Sequence, residues 1–473
     1  MLVGREKEQQ QLLNLLAEEE PQFCTLFGRR RVGKTYLVRE TFSHHFAFQH
    51  TGLAKAAKSD QLREFRESLR AAGMLKPPTP HTWYEAFHLL ETFLSSLPSG
   101  KKVVFIDELS WMDTKGSDFI SALEHFWNGW ATARAEKDIV LIVCGSATSW
   151  IINKVIKNHG GLHNRVTKQI YLKPFTLNEC EQYAASINLQ LTRKDIAELY
   201  MVMGGIPYYW SFLHRGESPS QAIDRIFFAD DAPLANEYDS LYASLFKNPT
   251  PHIAIISALA SKKSGMLRKD ILQCTGLTDN TAFSKAIEEL EQCNFIRRYF
   301  AFGKKDRDAL YQFMDNFTLF YFRFIKPNSR HDANFWSHSH DTSLYHAWSG
   351  LAFERLCFWH TPQILSALGK SDIVSTVHSW SLRADESHEG AQIDLVIDRN
   401  DNVVNICEIK FSSEEYIITK DENDRLIRRI SLFRQATKTR KSLHLTLISP
   451  FGATHNQYWN NLQSEITIDA LFV

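Results

Sequence analysis

Gly28-Arg29-Arg30-Arg31-Val32-Gly33-Lys34-Thr35 decides the first third of the chain. The string fits GxxxxGK[ST], follows a short apolar run at 23–27 and precedes a helical pattern. That strand–loop–helix context is the one in which such a loop wraps phosphates. Backbone N–H groups and the helix start face the anion. Lys34 is expected to reach the β- and γ-phosphates, and the Thr35 hydroxyl to bind Mg²⁺. Gly28, Arg29, Arg30, Arg31, Val32, Gly33, Lys34 and Thr35 are therefore the expected loop for ATP or GTP. The other half of such a site is an apolar strand ending in an acid. Val103-Val104-Phe105-Ile106-Asp107-Glu108 supplies it. Asp107 is expected to hold Mg²⁺ through water and Glu108 to polarise the attacking water. A third apolar run, 139–144, ends at Gly145-Ser146, where Ser146 can sense the γ-phosphate.

Working outward, the β-branched runs at 103–106 and 139–144 suit parallel strands buried on both faces. Leucines at 12, 13, 15 and 16 give a helical stripe over 6–19, and Lys76-Pro77-Pro78-Thr79-Pro80 reads as a loop. Residues 1–175 are thus expected to form an α/β nucleotide-binding core. The region resembles the AAA+ or STAND-type ATPases of the archaeal-type predicted ATPase family. The resemblance rests on Val3-Gly4-Arg5-Glu6, the P-loop, Asp107-Glu108, Gly145-Ser146, Asn164-Arg165 before Lys173-Pro174-Phe175, and Gly204-Gly205-Ile206-Pro207. It implies that Gly4 and Arg5 pack near the adenine. It makes Arg165 a candidate finger or sensor, a surface or structural arginine being the alternative. It makes Gly204–Pro207 the link to a lid, with a plain helix break as the alternative.

Residues 176–245 read as a helical lid. In 246–330, three short helices (253–260, 267–274, 282–291, the last with Thr278 as N-cap) precede strands at 295–302 and 309–313. Those strands flank Gly303-Lys304-Lys305-Asp306. Three helices and a hairpin make a winged-helix pattern, to which Arg297, Arg298, Lys304, Lys305 and Arg307 add positive charge, tempered by Asp306 and Asp308. The aromatic stretch 315–324 reads as packing, and 328–343 as a polar linker. His159 and His163 are four apart, but Gly160-Gly161 argues for a loop rather than a metal-binding helix face.

A second chemistry is expected in 345–473, an α/β stretch with strands near 392–397, 403–409 and 442–448. Asp394 lies in the first strand, and Glu408-Ile409-Lys410 closes the second. Residues two apart on a strand share a face, so Glu408 and Lys410 project together while the Ile409 carbonyl offers another oxygen. With Asp394 they form a hard-oxygen set suited to Mg²⁺ or Mn²⁺. The pattern resembles PD-(D/E)XK nucleases, and Glu354, on a preceding helix, matches the additional acid of that superfamily. The proline usual before the first acid is replaced by Ile393. The resemblance implies a metal-dependent nuclease in which Asp394 and Glu408 hold metal and Lys410 orients water or neutralises the transition state. A nuclease-like domain that only binds DNA is the alternative.

Lys plus Arg and Asp plus Glu each number 54, so any nucleic-acid site must come from local charge segregation. Residues 425–441 provide one, with Arg425, Arg428, Arg429, Arg434, Lys438, Arg440 and Lys441 and no acid. Leu426, Ile427, Ile430 and Phe433 interleave at helical spacing, giving a helix with a buried face and a basic side fit for phosphates; a solvated face is the alternative. The seven cysteines are scattered without CxxC, and no apolar run approaches a membrane span or signal peptide. The expectation is a cytoplasmic homo-oligomer with DNA as partner and no membrane. ATP would be coupled to DNA cleavage, with defence against foreign DNA as its setting by family analogy. A nucleotide-switched DNA-binding or signalling ATPase without cleavage is the alternative.

Overall fold

Five parallel strands build the N-terminal sheet: β1 (Gln22–Phe27), β2 (Phe48–Thr51), β3 (Lys102–Asp107), β4 (Ile139–Gly145) and β5 (Lys168–Tyr171). Their spatial order is β2-β3-β4-β1-β5. The computed structural model describes residues 2–157, 160–246, 248–262, 265–303, 309–328, 332–340, 342–370, 372–382 and 390–473. They divide into two units, Met1–Pro174 and Phe175–Val473. β1, β3 and β4 are buried at every position, as their unbroken apolar runs require. Phe65, Trp83, Phe87 and Phe119 pack as an aromatic layer beside them, with Trp83 and Phe119 ring centroids 4.8 Å apart. Because the strands are parallel, the carboxyl ends of β1, β3 and β4 lie along one edge. That edge is where ligands of open α/β sheets bind.

In the second unit, helices Leu177–Ser186, Arg193–Met203 and Pro219–Phe227 each begin with a capping box. Gly205 permits a close crossing: a Cβ there would lie 1.9 Å from the Phe175 carbonyl oxygen, and the Phe175 N–H donates to the Gly205 carbonyl at 2.6 Å. Helices Thr250–Ala260, Arg268–Thr275 and Thr281–Gln292 follow. Asn280, not Thr278, caps the third: its side chain accepts the Phe283 N–H. The strands β6 (Met266–Leu267), β7 (Ile296–Tyr299) and β8 (Leu310–Phe313) form an antiparallel sheet in the order β6-β8-β7. Lys304, Lys305, Asp306, Arg307 and Asp308 lie outside the described residues, as does His159.

The linker expectation fails over 332–340. Trp336 is buried among Phe320, Phe324 and Trp348. The buried Asp224 carboxylate accepts the Trp336 N–H at 2.8 Å, the Ser337 N–H at 3.2 Å and the Ser337 hydroxyl. One tryptophan on an aromatic cluster outweighs the polar residues around it.

The remaining strands are β9 (Ser375–Leu382), β10 (Ala391–Arg399), β11 (Val403–Ile409), β12 (Ser442–Ile448) and β13 (Ser464–Ile466). Their order is β13-β12-β11-β10-β9, antiparallel where β10 meets its neighbours and parallel from β11 to β13. Helix Lys420–Thr437 covers one face through Leu426, Ile430 and Phe433. Ile427 is 46 % exposed, because a single helical step turns it off the stripe that Leu426, Ile430 and Phe433 share. The β7 segment is fastened to this sheet. Ala301 bridges Ser379, the Phe302 N–H donates to the Ser379 carbonyl at 2.8 Å, and the Phe302 ring stands 5.0 Å from Phe433.

Candidate functional site

The first candidate site is built at the carboxyl edge of the N-terminal sheet. After β1 the chain turns at Gly28 (φ +148°) and at Gly33 (φ +91°), then enters helix Lys34–Thr41. Lys34 is buried, and its Nζ donates to the Gly28 and Arg29 carbonyls at 2.9 Å each. The lysine therefore closes the loop on itself. Thr35 Oγ1 donates to Asp107 Oδ2 at 2.7 Å, joining the loop to the end of β3. Glu108 follows in left-handed backbone (φ 48°). The Ser146 hydroxyl, just past β4, lies 3.0 Å from Glu108 Oε2, and the Ser146 N–H donates to the same oxygen at 3.3 Å. Burial, reinforced by the Asp107 charge, pushes the neighbouring Cys144 thiol well above its ordinary value. It is an inert neighbour rather than a nucleophile.

Arg5 is buried, with φ 67°, and its guanidinium donates to the Lys173 carbonyl at 2.7 Å. With Gly4 (φ 64°) it ties the start of this unit to its end. Arg165 is exposed, in the turn before β5. His163 is exposed in the same turn.

Residues 2–212 match the family described as an ATPase domain predominantly from Archaea. The chain carries a P-loop ATPase domain. An uncharacterised protein of Methanocaldococcus jannaschii is 25 % identical over 452 residues, covering 92 % of each chain. Among solved structures, a Walker-type ATPase of Pyrococcus abyssi covers 67 % of this chain and 95 % of its own at 17 % identity and a TM-score of 0.49. The ORC2 protein of Aeropyrum pernix covers 67 % and 90 % at 14 % identity and a TM-score of 0.41.

The second candidate site lies wholly beyond the ATPase domain. It is a cleft of about 420 Å³ whose lining includes Glu354, Gln392, Asp394, Glu408, Lys410 and Arg429. Leu395 pairs with Cys407 and Val396 with Ile406. Asp394 and Glu408 stand just beyond the paired residues of these neighbouring strands, and both line the cleft. Glu354, buried on helix Ser343–Trp359, completes a third acidic wall. The four expected residues Glu354, Asp394, Glu408 and Lys410 thus share one cleft.

Gln392 and Glu422 were not read from the sequence, nor were the acid partners of Arg425 and Arg429, which were read only as part of a phosphate-facing helix side. Gln392 Nε2 donates to Asp394 Oδ1 at 2.6 Å. Arg429 NH1 donates to Glu408 Oε2. Glu422 accepts Lys410 Nζ at 3.1 Å and Arg425 NH2 at 2.9 Å. Burial pushes the Glu422 carboxyl up, but the Tyr416 hydroxyl and Lys410 outweigh it and hold it below its ordinary value. The signals were present: Gln392 is two residues from Asp394, and Glu422, Arg425 and Arg429 follow one another at helical spacing. Arg355 is buried nearby, and Arg297 is half-buried. Burial lowers both guanidinium groups to about 10, and the charges of Asp394 and Glu354 act against that.

No group of three or more His, Cys, Asp or Glu side chains among the described residues could hold a metal ion. Asp394, Glu408 and Ile409 line the same cleft, and two carboxylates with a backbone carbonyl are the donor chemistry that Mg²⁺ and Mn²⁺ accept. Around the phosphate loop, Thr35 and Asp107 make a hydroxyl–carboxylate pair that fits Mg²⁺ in the same sense.

Proposed function

We propose that the chain hydrolyses ATP and couples its turnover to metal-dependent cleavage of the DNA backbone. The observation that supports the second half is that Asp394 and Glu408, on the paired strands β10 and β11, line one cleft with Lys410 and with Arg425, Arg428 and Arg429 of a basic helix. In the ATPase domain, Lys34 would trade the Gly28 and Arg29 carbonyls for the β- and γ-phosphates. Thr35 and Asp107 would hold Mg²⁺, Glu108 would take the proton of the attacking water, and Ser146 would keep Glu108 aimed. Gly4 and Arg5 would bound the base, and Arg165 would serve a neighbouring subunit as a finger in a homo-oligomer. Arg29, Arg30, Arg31 and Val32 would contribute backbone N–H groups to the phosphate cradle.

In the cleft, Asp394, Glu408 and the Ile409 carbonyl would hold Mg²⁺ or Mn²⁺. Bound there, the ion would supply an acidified water and charge neutralisation at the phosphate. Lys410 would orient that water, and Glu354 would bound the cleft opposite the strands. The helix 420–437 would contact flanking phosphates. Winged-helix character of 246–330 would add a DNA contact. Defence against foreign DNA remains an analogy with the family resemblance.

A second reading has its own support. Glu408 is already paired with Arg429 and Lys410, which suits a docking cleft that binds DNA without cutting it. The experiment incubates the full chain with linear, circular and single-stranded DNA, with Mg²⁺ or Mn²⁺, with and without ATP, alongside Asp394→Ala and Lys34→Ala. Cleavage lost in Asp394→Ala supports the nuclease. Wild type and Asp394→Ala leaving every substrate equally intact sinks it.

A further inference from the structure

We infer that Arg429 is a positioning residue that makes divalent-cation binding and DNA binding in this cleft mutually reinforcing. The inference rests on the nuclease reading and goes beyond it. Both Glu408 oxygens are engaged by cations: Oε2 by Arg429 NH1, and Oε1 by Lys410 Nζ at 3.1 Å. Glu408 and Arg429 side chains are 11 % and 18 % exposed, so water screens this pair less than a surface ion pair. A divalent cation on Glu408 needs at least one of those oxygens. A phosphodiester entering the cleft needs the guanidinium, whose flat fork matches two phosphate oxygens. Each ligand therefore breaks the same pair. Whichever binds first removes the competitor that the second would face, so each tightens the other by an equal factor.

The surroundings support an exchange of partners rather than a helix movement. Leu426 and Phe433 seat helix Lys420–Thr437 in the core on either side of Arg429, so the guanidinium can swing while the backbone stays. Arg425 is occupied by Glu422, and Lys410 bridges Glu422 and Glu408. When Arg429 leaves, Lys410 still neutralises Glu408. Arg428 lines the same cleft and extends the phosphate-facing side.

The test titrates Mn²⁺ calorimetrically into the full chain, alone and saturated with a short DNA duplex whose phosphorothioate linkages resist cleavage. Wild type should bind Mn²⁺ on the order of tenfold tighter with DNA, the scale of one charge-assisted hydrogen bond. Arg429→Gln should bind Mn²⁺ alone as tightly as wild type does with DNA, and DNA should then add nothing. Arg429→Lys should restore part of the coupling. Lys194→Gln, which removes a charge on helix Arg193–Met203 outside the cleft lining, should keep all of it. Equal wild-type affinities with and without DNA overturn the inference, as does full coupling in Arg429→Gln. Asp394→Ala separates the two levels. Mn²⁺ binding that depends on Asp394 but not on DNA refutes the coupling alone, whereas Mn²⁺ binding indifferent to Asp394 refutes the nuclease reading beneath it.

Discussion

Replacing Gly28 by alanine should damage the phosphate loop far more than the same change at Gly33. At Gly33 (φ +91°) a Cβ meets nothing within 4 Å. Only the backbone penalty applies, about 1–2 kcal/mol for an L-residue held left-handed. At Gly28 (φ +148°) the Cβ would stand 2.3 Å from the Leu172 carbonyl oxygen. That oxygen is backbone and cannot turn aside. Leu172 is itself held, because its N–H donates to the Phe27 carbonyl at 2.8 Å, one residue past the β1–β5 pairing of Phe27 with Tyr171. Relief requires the end of β5 to move by about 1 Å and to lose that bond, about 1 kcal/mol. Added to a backbone strain of about 1–3 kcal/mol, the total is roughly 2–4 kcal/mol. Urea unfolding of the two variants gives the difference, and a fluorescent ATP analogue reports the loop. Gly28→Ala should unfold at lower urea than Gly33→Ala and bind nucleotide more weakly. Midpoints equivalent to within about 0.5 kcal/mol would show that Leu172 does not constrain the loop.

Glu108→Gln should retain ATP yet lower hydrolysis by about 10²–10⁴; turnover within threefold of wild type removes Glu108 from the water-activating role. Stability should fall on acidification. His360 Nε2 accepts the Leu177 N–H at 3.0 Å and Nδ1 faces the Leu356 carbonyl at 2.8 Å, so the ring is neutral with its proton on Nδ1. Burial holds its pKa down to about 4, below the ordinary 6.5. The folded value lies below the unfolded one, so this stabilisation is complete above pH 6.5 and is lost as pH falls toward 4, by roughly 3 kcal/mol at most. Burial also lowers His50 of the ATPase domain to about 4, and the same window applies. Urea midpoints against pH should slope there and be flatter in His360→Gln; a flat wild-type profile contradicts buried neutral histidines. Asp224→Ala should cost about 2–4 kcal/mol, since the Trp336 N–H and its neighbours lose a buried acceptor. It should also open 332–340 to protease, and an unchanged cleavage rate there would deny that Asp224 anchors the segment.

The ATPase site was legible because its residues are contiguous. Gly28 to Thr35 form one string, and Asp107, Glu108 and Ser146 each stand at the end of an apolar run, so strand periodicity alone delivers them to one edge. The short strands β2 and β5 were not legible. Phe48-Gln49-His50-Thr51 and Lys168-Gln169-Ile170-Tyr171 carry too little apolar pattern, and they are strands because longer neighbours pair with them. The cleft residues Asp394, Glu408 and Lys410 were legible from alternation on two strands. Arg429 as the partner of Glu408 was not, because the contact joins a helix to a strand and depends on the rotation of that helix. The same rotation took Ile427 out of the buried stripe. Residues 328–343 misled because composition averages over a segment, whereas Trp336 and the distant Asp224 decide its fate individually.

The equality of 54 acids and 54 bases takes its meaning from where the charges meet. Part of the basic stretch 425–441 is already committed to acids: Arg425 pairs with Glu422, Arg429 with Glu408 and Lys441 with Asp398. In an ordinary DNA-binding surface, phosphates displace small ions from the nucleic acid and gain entropy by releasing them. Here a phosphate that recruits Arg429 would leave Glu408 with Lys410 alone, and a partly buried carboxylate that loses one of its two cations is penalised. The exchange becomes favourable when another cation takes the carboxylate. If the proposed nuclease reading holds, these pairings set a condition on binding: DNA would be admitted to the cleft where a divalent ion can stand in for the arginine.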